Sequence, residues 1–158
     1  MSFRHLLVTF IFTLSCAVHA SDARPPQFTL LDDSTSSIET YRGKFVLLNF
    51  WASWCGPCRE ELPSMNALWA QLNTEEITML AVNFAEDLDT VKRFTARYPI
   101  HFPVVRDPQL TFTKFYQVNA MPTTVLLNRE GVVIETIIGA KDWAAPEIVD
   151  KILALTRQ

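Results

Sequence analysis

The chain of 158 residues carries three cysteines, and two of them, Cys55 and Cys58, stand three positions apart in "WASWCGPCREELP", residues 51–63. Thiols at that spacing have three chemistries open to them: gripping a metal, forming a permanent staple, or opening and closing as a redox pair. Structural zinc takes four Cys or His ligands, and beyond the first 20 residues the chain offers only these two cysteines and His101. His101, alone before Phe102, reads as a surface residue and makes a poor partner for a hydrolytic cysteine. A staple across so short a loop removes little entropy from the unfolded chain. Exchange fits the spacing better, because residues i and i+3 on a helix share a face and come close enough to form and break a disulfide with little backbone movement.

The flanking residues say what holds the thiols. "FVLLNFW" (45–51) is apolar almost throughout, as expected of a central strand covered on both faces. From Pro57 onward, Cys58, Leu62, Met65, Trp69 and Leu72 recur at helical spacing, which predicts a helix over about 57–72 with Pro57 in its first turn and a kink at Pro63. Cys55 then sits at the helix start, where free N–H groups and the positive end of the helix dipole favour a thiolate. Cys55 is the expected attacking thiol. Cys58 lies one turn in on the apolar stripe, where burial disfavours its charged form, and is the expected resolving thiol.

The remaining elements complete a frame. "FTLL" (28–31) predicts a short strand, followed by a Ser/Thr/Asp-rich loop and a turn at "YRGK". "ITMLAVNF" (77–84) predicts a second buried strand, parallel to 45–51 because a helix connects them. Further on come a helix over 87–98 opened by Asp87, a strand at 102–107, a small helix at 109–116, a hairpin turning at Asn128–Gly131, and a last helix over about 145–156. The fold class is α/β, a central mixed sheet flanked by helices with a short N-terminal β extension.

The first 20 residues are separate in character. A basic start at Arg4 and His5, an apolar run from Leu6 to Val18 and small residues ending at Ala20 read as a secretory signal peptide cleaved after Ala20, leaving 21–158 as one domain. A lipid anchor at Cys16 is the competing reading, with Thr13 where a lipobox prefers Leu. The net charge of −3, or −4 once Arg4 is removed, argues against nucleic acid or an anionic membrane as partner. Export would place the pair in the periplasm, where disulfides form.

With "WASWCGPC" following "VLLNFW" and "MPTT" about 65 residues later, the chain resembles the thioredoxin superfamily, and within it the exported bacterial TlpA/ResA-like thiol-disulfide oxidoreductases, over roughly 27–155. The resemblance implies a thioredoxin fold with Cys55 as nucleophile and Cys58 as its resolving partner. It implies a cis Met121–Pro122 peptide whose backbone meets an extended substrate, with Trp54, Gly56, Pro57, Met121 and Pro122 as the substrate-binding surface. No cofactor or metal is called for. The Gly56-Pro57 dipeptide leans towards reduction of exported proteins' disulfides, since thioredoxin lies near about −270 mV and the oxidant DsbA near about −120 mV. A reductant there needs electrons from a membrane thiol transporter of the DsbD/CcdA kind, and apocytochrome c is one candidate substrate. An oxidase or isomerase, or a non-catalytic peptide-binding module, are the alternatives.

Classical thioredoxins place a buried Asp where this chain has Asn49, which cannot titrate. In the exported branch a Glu three residues after the second cysteine fills such a role, and Glu61 has that spacing, in line with Met65, Leu68 and Leu72, while Glu60 falls on a polar face. Glu61 is therefore either a partly buried proton acceptor, the third candidate catalytic residue, or an acidic first-turn residue favoured by the helix dipole. Glu86 reads as a solvated loop residue before the Asp87 helix start. Trp51 and Trp54 read as core packing or platform.

Overall fold

The computed structural model describes residues 24–155; the leader reading, with cleavage after Ala20 and the alternative at Cys16, lies outside them. Seven strands form one mixed sheet in the order β2-β1-β5-β4-β3-β6-β7. These are β1 (Phe28–Leu30), β2 (Thr35–Ser36), β3 (Phe45–Trp51), β4 (Ile77–Phe84), β5 (Val104–Asp107), β6 (Thr123–Leu127) and β7 (Val133–Ile138). The helices are α1 (Gly56–Trp69), α2 (Leu88–Arg97), α3 (Thr111–Phe115) and α4 (Pro146–Leu155), with a 3-10 turn at Ile38–Tyr41.

β3 lies in the middle, parallel to β4 and antiparallel to β6, and all its residues are buried because both faces are covered. Its alternation sorts the core. Leu47 and Trp51 share one face with Met79, Leu62, Met65 and Leu68 of α1, Phe94 of α2 and Ile152 of α4. Val46, Leu48 and Phe50 share the other face with Leu80, Phe112 of α3 and Ile38 of the 3-10 turn. Each such fully buried side chain contributes roughly 1.5–3 kcal/mol of apolar transfer. Asn49 has the parity of Leu47 and Trp51, so it faces α1.

The strands predicted at 45–51 and 77–84 carry those limits. α1 ends at Trp69, short of Leu72, and runs through Pro63. The Ser/Thr/Asp-rich loop holds the two-residue β2, too short for any periodicity, and the 3-10 turn follows it. At "YRGK", Gly43 takes a φ of 87° and donates its N–H to the Arg129 carbonyl at 2.9 Å, a backbone conformation that favours glycine. Among the described residues no helix is long and apolar enough to cross a membrane.

Candidate active site

β3 and β4 run in parallel with Trp51 opposite Asn83, so both chains leave the sheet at the same end. β6 enters there too, with Thr123 opposite Phe50. Three connections therefore converge on one rim: the loop 52–55, the Ala85–Glu86 turn, and Met121–Pro122.

Cys55 caps α1 from an extended backbone, and its sulfur accepts the N–H of Cys58 at 3.2 Å. The two cysteines are joined by a disulfide, with Cα atoms 5.3 Å apart. Cys55 is 5% exposed and Cys58 1%, so Cys55, the expected attacking residue, is the more exposed of two buried cysteines. An N–H aimed at the Cys55 sulfur, added to the helix dipole, is the arrangement that stabilises a thiolate once the bond opens. Pro57 occupies the first turn, where its missing N–H costs nothing. Gly56 has open space where a Cβ would stand, so sterics do not demand glycine there.

Trp54, next to Cys55, is 66% exposed, its ring edge-on to Phe84 with centroids 6.3 Å apart. Trp51 is instead a core residue, stacked at 4.8 Å on Phe94. Met121–Pro122 is a cis peptide; Met121 is half-buried against the core cluster that includes Cys55, and Pro122 is buried.

Glu61, one turn beyond Cys58, is only 3% exposed, which excludes a solvated helix-start charge. Its Oε1 accepts from Asn49 Nδ2 at 2.9 Å, and its Oε2 from Trp143 Nε1 at 3.0 Å and the Lys141 N–H at 3.2 Å. Asn49 in turn donates to Thr124 Oγ1 at 3.1 Å. Burial pushes the Glu61 carboxyl above its ordinary range, and the bonds from Trp143, Asn49 and Lys141 oppose that push without cancelling it. That upward push makes the carboxylate a better proton acceptor than an exposed glutamate.

Glu86 corrects the reading of a solvated loop residue. It is half-buried, accepting the Ser53 N–H at 2.8 Å, Asn83 Nδ2 at 2.7 Å and the Ser53 hydroxyl. Ala85, at a φ of 58°, reverses the chain so that Glu86 points back at the loop before Cys55, a conformation that non-glycine residues hold only when their surroundings impose it. Nothing local in the chain marks Trp143 as a partner of Glu61. Asn49 did give one, since a polar side chain inside an apolar strand must find a hydrogen-bond partner. His101 is exposed, as read from the sequence.

A family model described as Redoxin matches residues 20–153. The thiol-disulfide oxidoreductase ResA of Geobacillus kaustophilus is 37% identical, over 85% of this chain and 78% of the relative. A solved structure of a DsbE-type thiol:disulfide interchange protein from Chlorobium tepidum superposes with a TM-score of 0.74 at 32% identity, covering 84% of this chain and 95% of the other. StoA from Bacillus subtilis superposes at 0.68 with 26% identity, covering 84% and 97%.

Proposed function

The chain belongs to the Redoxin family and is a TlpA/ResA-like thiol-disulfide oxidoreductase of the thioredoxin superfamily, and from that premise we propose that it works in the periplasm as a reductant of disulfides in exported proteins. The observation that carries this reading is the Cys55–Cys58 disulfide at the start of α1 with Glu61 buried one turn beyond it. In the reduced protein the Cys55 thiolate attacks one sulfur of a substrate disulfide. A mixed disulfide forms and the other substrate sulfur leaves as a thiolate. Cys58 then loses its proton and attacks the Cys55 sulfur, which releases the second substrate thiol and restores the protein disulfide. Two electrons pass to the substrate.

The second step has a physical difficulty, since a thiol as buried as Cys58 resists ionisation. Glu61, with its carboxyl raised by burial, accepts that proton. Trp54, Gly56, Pro57 and the Met121–Pro122 backbone receive the substrate chain. The electron donor is a membrane thiol transporter of the DsbD/CcdA kind, and apocytochrome c awaiting haem is among the substrates.

The reduction potential of the Cys55–Cys58 pair tests the direction. A value near about −270 mV supports a reductant, and one near about −120 mV overturns it in favour of an oxidant.

A further inference from the structure

Two open grooves lie beside the redox loop on the side of α2, and they share a wall. The first, of about 400 Å³, runs between Ser53, Arg59 of α1, and Arg93 and Arg97 of α2. The second, of about 250 Å³, continues past Arg59, Arg97 and Tyr98 to His101. No aspartate or glutamate lines either one. This occurs in a chain whose acidic residues outnumber its lysines and arginines, 17 to 14.

None of the three arginines is held in a contact ion pair. Ion pairs among the described residues engage Arg42, Lys44, Arg106 and Lys151, and none of the three. Arg59 and Arg97 hold their guanidinium carbons 5.6 and 5.5 Å from the centre of the Tyr98 ring. Arg93 donates to Thr90 Oγ1 at 3.0 Å. Its field reaches Asp87, but that carboxylate is occupied by the N–H and hydroxyl of Thr90 as the cap of α2. A guanidinium resting on a ring keeps its in-plane N–H groups free, and their fork matches a carboxylate.

A polypeptide bonded through sulfur to Cys55 must continue across the neighbouring surface, and the first groove begins at Ser53, two residues from that sulfur. We propose that these grooves receive an acidic stretch of the partner polypeptide, with Asp or Glu side chains flanking its exchanging cysteine against Arg59, Arg93 and Arg97. The proposal rests on Cys55 exchanging with a polypeptide and gives that partner a chemical class. It adds a preference that the disulfide itself cannot supply.

The test uses a Cys58→Ser protein, which stops at the first mixed disulfide whichever way electrons flow in the cell. Cys55 attacks a peptide disulfide, a Cys55–peptide bond replaces the peptide's own, and the departing thiolate takes its proton from water. The rate is measured for a peptide with Asp and Glu flanking its cysteine and for the same peptide carrying Asn and Gln. The acidic peptide is expected to react about tenfold faster at low ionic strength, and the ratio to approach one in about 1 M salt. In the same background, Arg59→Gln/Arg93→Gln/Arg97→Gln is expected to bring the low-salt ratio close to one. Arg93→Gln alone, which leaves the Tyr98 stack in place, lowers it in part, and Lys114→Gln, which removes a charge on α3, keeps it. A ratio near one in the parent protein, or an undiminished ratio in the triple variant, overturns the proposal. The reduction potential of the wild-type pair does not enter this ratio, so the reductant reading stands or falls separately.

Discussion

Glu61, within α1, and Glu86, bonded to the loop before it, each accept three hydrogen bonds. Hydrogen bonding therefore does not tell them apart; burial and the identity of the donors do. Glu61 lies on the buried face of α1, bonded to Asn49 of β3 and to Lys141 and Trp143 of the segment before α4, and its charge is costly there. Glu86 sits on the rim, half in solvent, and two of its three bonds go to Ser53 in the loop just before Cys55. The first is a carboxylate whose charge burial opposes; the second is a clamp on the backbone before Cys55. The same residue type thus meets two surroundings, one shut off from water and one half in it, and burial raises the proton affinity of the first.

The largest test lies at the sulfurs between the two carboxylates. Cys58→Ser is expected to accumulate mixed disulfides with substrate while Cys55→Ser accumulates none, as read on non-reducing gels. Equal trapping by both would remove the division into attacking and resolving thiols, and with it the need for Glu61.

Next in size, Glu61→Gln is expected to slow reduction of a model disulfide by roughly tenfold or more near neutral pH while leaving the first attack by Cys55 largely intact. Glu60→Gln, on the exposed face, is the control and keeps the wild-type rate. Wild-type turnover in Glu61→Gln would leave the carboxylate no part in moving the proton.

Glu86→Ala breaks the comparison from the other side. Three donors lose their acceptor, two of them in the loop, at a cost of about 1–3 kcal/mol in urea unfolding. The pH dependence of turnover is expected to keep its shape, since the proton acceptor is untouched. A changed profile would mean that Glu86 shares the proton transfer.

The smallest effect is on stability against pH. The folded-state carboxyl of Glu61 is raised above its unfolded value of 4.5, so the folded protein holds that proton more tightly than the unfolded chain. Its contribution is fully present below pH 4.5 and is lost as pH rises through the folded value. Wild type is therefore expected to lose stability relative to Glu61→Gln across that window in paired denaturant titrations. A difference that is flat with pH, or of opposite sign, would contradict the cost of burying the charge.

β3 and β4 were legible because each is an apolar run long enough to be covered on both faces, and α1 because its apolar stripe starts just after a proline. The cysteine spacing and the helix start likewise pointed to the bonded pair at the start of α1, all from residues within one turn of each other. Of the short pieces, the small helix read at 109–116 is present as the five residues of α3, held by the Asp107 carboxylate accepting the N–H groups of Phe112 and Thr113, whereas β2, with two residues, was not legible. Helical phase placed Glu61 towards the core, but its donors come from positions 12 to 82 residues away. Glu86 read as a loop residue because nothing local says that Ala85 turns it onto Ser53. Periodicity records which side of an element meets water, so the long strands, the redox helix and the inward face of Glu61 follow from the order of residues. Which groups from remote segments meet a buried carboxylate, and which arginines share a groove, depends on how the sheet brings those segments together, and no local pattern encodes that.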